Sequence, residues 1–247
     1  MADRFLVFGD IHGEWDKLES LLAQVQPDYE QDEIVFLGDY VDRGPEPKRV
    51  LDYIMGLPRS NNIHLLQGNH ELMLWNGFDE FWNAYNQMGG YVEGLDLWMQ
   101  NGGYVTFQQI SESVEEFEKY AKFVHSLPLY YQAKLNGHNY LFCHAGIDPN
   151  FPLEKQTIND FVWERRLAER YVRHSKMKYI KALKAEEELT VVVGHTPVPT
   201  MEPGRYTPII TPEVIFLDTG SFIPDGRISC MDLISGQVWQ SKGKLER

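Results

Sequence analysis

Cysteine is scarce in this chain of 247 residues: Cys143 and Cys230 are too few for a disulfide framework, which favours a reducing compartment. Positive charge is scarce too. Lysine and arginine number 23 against 36 aspartates and glutamates, a formal net charge of −13, so the basic footprint of a general nucleic-acid or acidic-membrane binder is missing. No apolar run approaches the roughly 20 residues of a membrane span. The start, Met1-Ala2-Asp3-Arg4, carries no signal-peptide core. There is no solenoid-type repeat and no low-complexity linker. What remains, 43% hydrophobic and 24% charged residues, is ordinary for a globular protein. The expectation is a cytoplasmic protein of one domain over residues 1–247, with neither nucleic acid nor membrane as partner. A monomer is compatible with the sequence, which leaves the oligomeric state open.

Short β-type runs alternate with helical patterns through the first third. Phe5-Leu6-Val7-Phe8 ends at Gly9, Ile34-Val35-Phe36-Leu37 at Gly38, and a third run through Ile63, Leu65 and Leu66 at Gly68. Trp15, Leu18, Leu21, Leu22 and Val25 recur at helical spacing and stop at Pro27. Val50, Leu51 and Ile54 give an apolar face to a helix opened by Pro45 and Pro47. From Glu71 to Ser126 the chain leans helical and is rich in aromatics: Trp75, Phe78, Phe81, Trp82, Tyr85, Tyr91 and Trp98. Gly89-Gly90 and Gly102-Gly103 read there as loops or helix ends. Residues 72–126 are therefore expected to form a helical cap insertion. Its aromatics either wall a substrate groove or, the simpler reading, make a satellite core. Tyr130–Leu135 and Asn139–Cys143 flank Asn136-Gly137, a two-residue hairpin signal. Helical patterns from Thr157 to Glu188 precede strands at Leu189–Val193 and Val214–Leu217, and Asp225-Gly226 and Ser235-Gly236 are turns of a closing meander. Strand, loop and helix in repetition argue for an α/β layered fold with parallel strands.

Side chains able to bind metal follow these strands, where an α/β sheet presents its loops to a ligand. Gly9-Asp10-Ile11-His12-Gly13, Gly38-Asp39-Tyr40-Val41-Asp42-Arg43-Gly44 and Gly68-Asn69-His70-Glu71 come after the first three. Cys143-His144-Ala145-Gly146 and Gly194-His195-Thr196-Pro197 come after two later ones. A lone strand-end histidine is more often a hydrogen-bonded core or surface residue than a ligand. Five strand ends with the same chemistry are not explained by random placement. Asp10, His12, Asp39, Asn69, His144 and His195 make a mixed oxygen and nitrogen set for two ions, with Asp39 mid-order and free to bridge. Such donors suit Mn²⁺, Fe or Zn²⁺. Two divalent cations would make the site locally positive within an acidic protein and ready for an anionic substrate. Cys143 reads as a small core residue rather than a ligand.

These blocks resemble the phosphoesterase signature of the phosphoprotein phosphatase family, with its Asp-x-His, Gly-Asp-x-x-Asp-Arg and Gly-Asn-His-Glu elements, over about Phe5 to Ser221. The bacterial branch, which includes bacteriophage lambda phosphatase, is the nearest. It is similar in size and in Asn101-Gly102-Gly103, Val162-Trp163-Glu164-Arg165 and Asp218-Thr219-Gly220. The segment after His195 departs from the eukaryotic enzymes. The resemblance implies a four-layer α/β/β/α sandwich with the site at strand ends along one edge. It implies that Asp10, His12 and Asp39 hold one metal and that Asp39, Asn69, His144 and His195 hold the other, with Mn²⁺ favoured. On the same terms His70 is the general acid and Asp42 orients it. Arg43, Arg165 and Asn69 meet the phosphate, with a solvated helix-face arginine as the alternative for Arg165.

The implied activity is that of a metal-dependent phosphomonoesterase: a serine/threonine or dual-specificity protein phosphatase, acting on phosphorylated protein, peptide or a small phosphoester. The alternatives are a dinucleoside tetraphosphatase or phosphodiesterase with similar metal blocks, and a silent scaffold that kept the fold. Glu71 resembles the protein phosphatases more than the symmetrical tetraphosphatases, although an acidic residue favouring the helix dipole accounts for it as well. Asp218 either supports a ligand or forms a turn. Glu186-Glu187-Glu188 reads as a solvated helix end, and His64, His125, His138 and His174 receive no role.

Overall fold

The apolar runs of this chain lack the polar-apolar alternation of a half-exposed strand, so the strands they form must be covered on both faces. A computed structural model describes residues 3–86, 93–173 and 189–243 and shows how the covering is done. Gly89-Gly90, Tyr91, His174, Glu186-Glu187-Glu188 and the later part of the Thr157–Glu188 helical pattern lie outside the described residues.

The first half runs β1 (Phe5–Phe8), α1 (Trp15–Val25), β2 (Glu33–Phe36), α2 (Pro47–Gly56), β3 (Ile63–Leu65), α3 (Asn69–Asn86), α4 (Glu93–Trp98), α5 (Tyr104–Ile110), α6 (Val114–His125), β4 (Tyr130–Leu135) and β5 (His138–Cys143). Then come α7 (Ile158–Trp163), α8 (Arg166–Arg173), β6 (Leu189–Val193), α9 (Val198–Met201), β7 (Ile209–Ile210), β8 (Val214–Phe216), β9 (Ser229–Asp232) and β10 (Val238–Gln240). They build two five-stranded sheets, in the orders β10-β9-β1-β2-β3 and β4-β5-β6-β8-β7. The central strands of each are parallel, β1 with β2 and β3, β5 with β6 and β8, and antiparallel strands close the edges.

Alternation along the strands sorts the layers. Phe5 and Val7 point to one side, where they meet Val35, Leu37, Phe142, Val192, Ile215 and Leu217 between the sheets. Leu6, Phe8, Ile34 and Phe36 point to the other, against Leu18, Leu21 and Val25 of α1 and Val50, Leu51 and Ile54 of α2. Leu141, Cys143, Val191 and Val193 cover the outer face of the second sheet with Phe161, Val162 and Leu167. The result is the four-layer helix–sheet–sheet–helix sandwich that the family resemblance implied.

The hairpin turns at Asn136 (φ 50°) and Gly137 (φ 84°), the pair of left-handed residues a two-residue turn requires between Leu135 and His138. The aromatic segment, in contrast, does not form a satellite core. Met73, Phe78, Trp98, Phe117 and Tyr120 belong to the same apolar cluster as Leu6, Phe8 and Phe36, because α3 leaves directly from the end of β3 and α6 returns to the sheet at Leu127. Gly102-Gly103 lies in a π-helical turn, Met99–Gly103, that joins α4 to α5.

Phe142 is fully buried between the sheets and stacks on Phe5, centroid to centroid 5.3 Å. Phe142→Ala is expected to cost about 3–5 kcal/mol of stability, read as a lower urea midpoint at unchanged slope.

Candidate metal centre

The loops that follow β1, β2, β3, β5 and β6 converge from both sheets. Ile11 and His12 N–H donate to the Asp39 carbonyl (3.0 and 2.8 Å), and Gly194 N–H donates to the His144 carbonyl (2.8 Å). Their sharpness is recorded in the backbone. Of seven non-glycine residues with positive φ among the described residues, five are here: His12 (50°), Asp39 (53°), Asp42 (70°), Arg43 (68°) and His195 (62°). Such conformations cost on the order of 1 kcal/mol or more each and persist where surrounding bonds over-determine them. Glu71 supplies those bonds at Asp39. Its buried carboxylate accepts N–H groups from Asp39 and Tyr40 (2.8 Å each) and from Gly68 (2.9 Å). Gly68 is required at close quarters, since a Cβ there would lie 2.3 Å from Asp39 Oδ1.

Asp39 faces two imidazoles. Its Oδ1 lies 3.3 Å from His144 Nε2 and its Oδ2 lies 3.4 Å from His12 Nε2. Asn69 Oδ1 lies 3.0 Å from His144 Nε2 and 2.8 Å from His195 Nδ1. The donor atoms of Asp39, His144 and His195 fall within 4.8 Å of one another, as do those of His12, Asp39 and His70. His12 and His144 each donate from Nδ1 to a backbone carbonyl, of Val41 (3.1 Å) and Leu37 (2.9 Å). In the neutral rings Nε2 is then the lone-pair nitrogen, turned toward Asp39. Asp10 belongs to neither group but borders them; its Oδ2 accepts the His195 N–H at 3.0 Å.

His70 lies inside the first group, its Nε2 4.0 Å from Asp39 Oδ2, although the sequence reading kept it out of the ligand set. Its other nitrogen distinguishes it. Nδ1 lies 2.6 Å from Asp42 Oδ2, and both side chains are fully buried. Asp42 is itself held by two residues that the sequence analysis did not single out for the site. Trp98 Nε1–H donates to both carboxylate oxygens (3.0 and 2.9 Å), and the Thr106 hydroxyl donates to Oδ1 (2.5 Å). Arg43 is exposed, with Nη1 3.2 Å from His12 Nε2. Arg165 is exposed just before α8, and its positive charge acts on His195. The neighbouring Arg166 is paired with Asp148 and Glu164. Asp218 does form a turn, its Oδ1 accepting from Gly220 N–H at 2.8 Å.

The electrostatics call for cations. Asp10, Asp39, Glu71 and Asp218 are all buried, and among the described residues none has a lysine or arginine ion pair. Burial, then the charges of Asp218 and Asp39, lifts the Asp10 carboxyl well above its usual range. Burial also pushes Glu71 up to about 7 and Asp218 up to about 6, with Asp39 adding to both. Burial works the same way on Asp39, but the neighbouring His144 and His70 outweigh it and hold this carboxyl low. His12 and His195 are driven down by burial and so favour the neutral ligand form. The Nε2 atoms of His70 and His195 and Asp218 Oδ2 are buried without a hydrogen-bond partner. Crowded carboxylates without a lysine or arginine partner, beside buried imidazoles, fit a pair of divalent ions.

A family model described as calcineurin-like phosphoesterase matches residues 3–217. A symmetrical bis(5′-nucleosyl)-tetraphosphatase from Serratia proteamaculans is 44% identical over 68 residues, which is 28% of this chain and 23% of the relative, so the chain matches under a quarter of that protein's length. The crystal structure of a candidate diadenosine tetraphosphatase superposes with a TM-score of 0.64 at 22% identity, covering 99% of this chain and 97% of that one. A serine/threonine phosphatase from Saccharomyces cerevisiae superposes at 0.59 with 16% identity, covering 99% and 81%. At such identities the two structures carry the fold alone.

Two outcomes follow for this centre. Glu71 and Asp218 lie beside the ligands, and protonating them removes negative charge that favours bound cations, so metal affinity falls as pH drops through the range from about 7 to about 6. Chelator competition should give a Kd for Mn²⁺ at least about tenfold weaker at pH 5.5 than at pH 8. Glu71→Gln replaces one of the two accepting oxygens by an amide NH2 and so sets a donor against at least one of the three N–H groups; the expected loss is about 1–3 kcal/mol, with fewer than two metals retained by atomic absorption.

Proposed function

The chain belongs to the calcineurin-like phosphoesterase family, and from that premise we propose that it is a metal-dependent hydrolase of dinucleoside polyphosphates, with Mn²⁺ as its metal. The observation that carries the hydrolase reading is the Asp39 carboxylate, with one oxygen toward His144 and the other toward His12. The choice of substrate is supported by the local identities to symmetrical tetraphosphatases. These raise the alternative of the sequence analysis above its protein-phosphatase reading. Glu71 no longer argues the other way, because its carboxylate is committed to backbone N–H groups rather than to substrate.

Asp10, His12 and Asp39 would hold one ion, and Asp39, Asn69, His144 and His195 the second. Bound divalent metals supply Lewis acidity toward the phosphoryl oxygens and lower the pKa of the attacking water. The chain's own residues do the rest. Asp42 keeps the Nδ1 proton of His70 in place and stabilises the imidazolium, so that His70 Nε2–H can pass its proton to the leaving oxygen. Trp98 and Thr106 fix Asp42 in turn. Arg43, with Arg165 on the far side, offers a planar fork to the phosphate oxygens.

The test sets diadenosine tetraphosphate, a phosphoserine peptide and p-nitrophenyl phosphate side by side on Mn²⁺-reconstituted protein. The expected result is the highest kcat/KM for diadenosine tetraphosphate. His70→Asn should cut kcat by about 10²–10⁴-fold with the fold intact by circular dichroism. Faster turnover of the phosphopeptide would install the protein-phosphatase reading instead, and a metal-loaded protein inert toward all three would be a scaffold.

A further inference from the structure

Arg43 is an exposed anion-binding group of this centre, on a long flexible side chain that loses rotamer freedom whenever it binds. Two surfaces restrain it. On one side Arg43 N–H donates to the Gly102 carbonyl at 3.2 Å, and Gly102 has φ 96°; a Cβ there would lie 2.9 Å from Arg43 Cγ. On the other side lies the ring of Phe222, its centroid 4.2 Å from the guanidinium carbon, and the same ring meets His12 edge-on at 5.0 Å.

Phe222 stands on a loop that has no strand or helix of its own. The loop is tied down from outside. Lys17, on α1, is 3% exposed, and its ammonium donates to the Ser221 carbonyl and, at 2.8 Å, to the Gly226 carbonyl. These two carbonyls bracket Phe222 at the two ends of the loop. A buried ammonium is costly unless its protons are satisfied, and here the protons go to the backbone on either side of one aromatic ring. The neighbours of Lys17 on α1, Leu18 and Leu21, sit in the apolar cluster with Phe8 and Phe36, so the anchor is rigid.

We infer that Lys17 is a positioning residue of the metal centre: its ammonium fixes the Ser221–Gly226 loop, and the loop holds Phe222 as the platform that keeps Arg43 aimed at a phosphoryl group. Neither Lys17 nor Phe222 belongs to the motif blocks. The inference rests on Arg43 as an anion clamp in a phosphoesterase site, and is independent of which phosphoester is the natural substrate.

The test reads binding of inorganic phosphate to the Mn²⁺-loaded full chain by calorimetry, with p-nitrophenyl phosphate hydrolysis alongside. Losing one cation–π contact at an exposed site corresponds to about a two- to fivefold weaker Kd for Phe222→Leu. Lys17→Met should weaken phosphate binding by at least as much, and Lys17→Gln, which keeps a shorter, uncharged NH2 donor, should fall between it and the native chain. In an Arg43→Ala background none of these changes should move the phosphate Kd further, because the route to the anion is already cut. Metal stoichiometry should stay unchanged throughout. An equal loss in both backgrounds, loss of metal along with phosphate affinity, or an unaltered Kd in Phe222→Leu and Lys17→Gln would each overturn the inference. Intact coupling in a protein that hydrolyses no phosphoester would support the positioning role while removing the proposed activity.

Discussion

A single buried carboxylate sets the conformation on which this centre depends. Glu71, in the first turn of α3, accepts three backbone N–H groups, two from the loop after β2 and one from the loop after β3. Together these three hydrogen bonds offset the left-handed backbone of Asp39 (φ 53°). With its backbone fixed, the Asp39 side chain has little choice but to stand between His12 and His144. The two sheets meet there through chemistry rather than through apolar packing.

The same logic repeats one step outward. Asp42 is also left-handed, and its carboxylate is shared by His70, Trp98 and Thr106. The helices between β3 and β4 thus do two things at once. Their aromatics complete the main core, and one of them, Trp98, turns a polar edge toward the buried acid of the His70 pair. Packing and chemistry share a side chain, which ties the alignment of the imidazole to the order of α4 and α5.

Much of this was legible in the sequence. The strand-end blocks could be read because their signal is local: an apolar run, a glycine, then short polar side chains, five times over. The hairpin at Asn136-Gly137 could be read for the same reason. The supports were not legible, because their partners are remote. Trp98 and Thr106 lie 56 and 64 residues from Asp42, and Lys17 lies 204 residues from Ser221. Nothing in the periodicity around Trp98 separates an indole that merely fills space from one whose N–H is committed to a carboxylate. Glu71 was visible as an acidic residue in a first turn, where the helix dipole is a sufficient local reason; only the tertiary structure brings three N–H groups to it. The aromatic segment misled for a related reason, since a run rich in tryptophan and phenylalanine looks the same whether it makes its own core or joins another.

The chain order of the donors also bears on how the protein is made. Asp10, His12, Asp39 and Asn69 emerge from the ribosome early, together with the first three strands, whereas His144 and His195 belong to the second sheet. A nascent chain halted between them holds a half-built cage, acidic and short of nitrogen. The group of donors around Asp39, His144 and His195 is therefore completed only when β5 and β6 have joined the fold, late in synthesis, whereas His12, Asp39 and His70 are all in place before the second sheet begins.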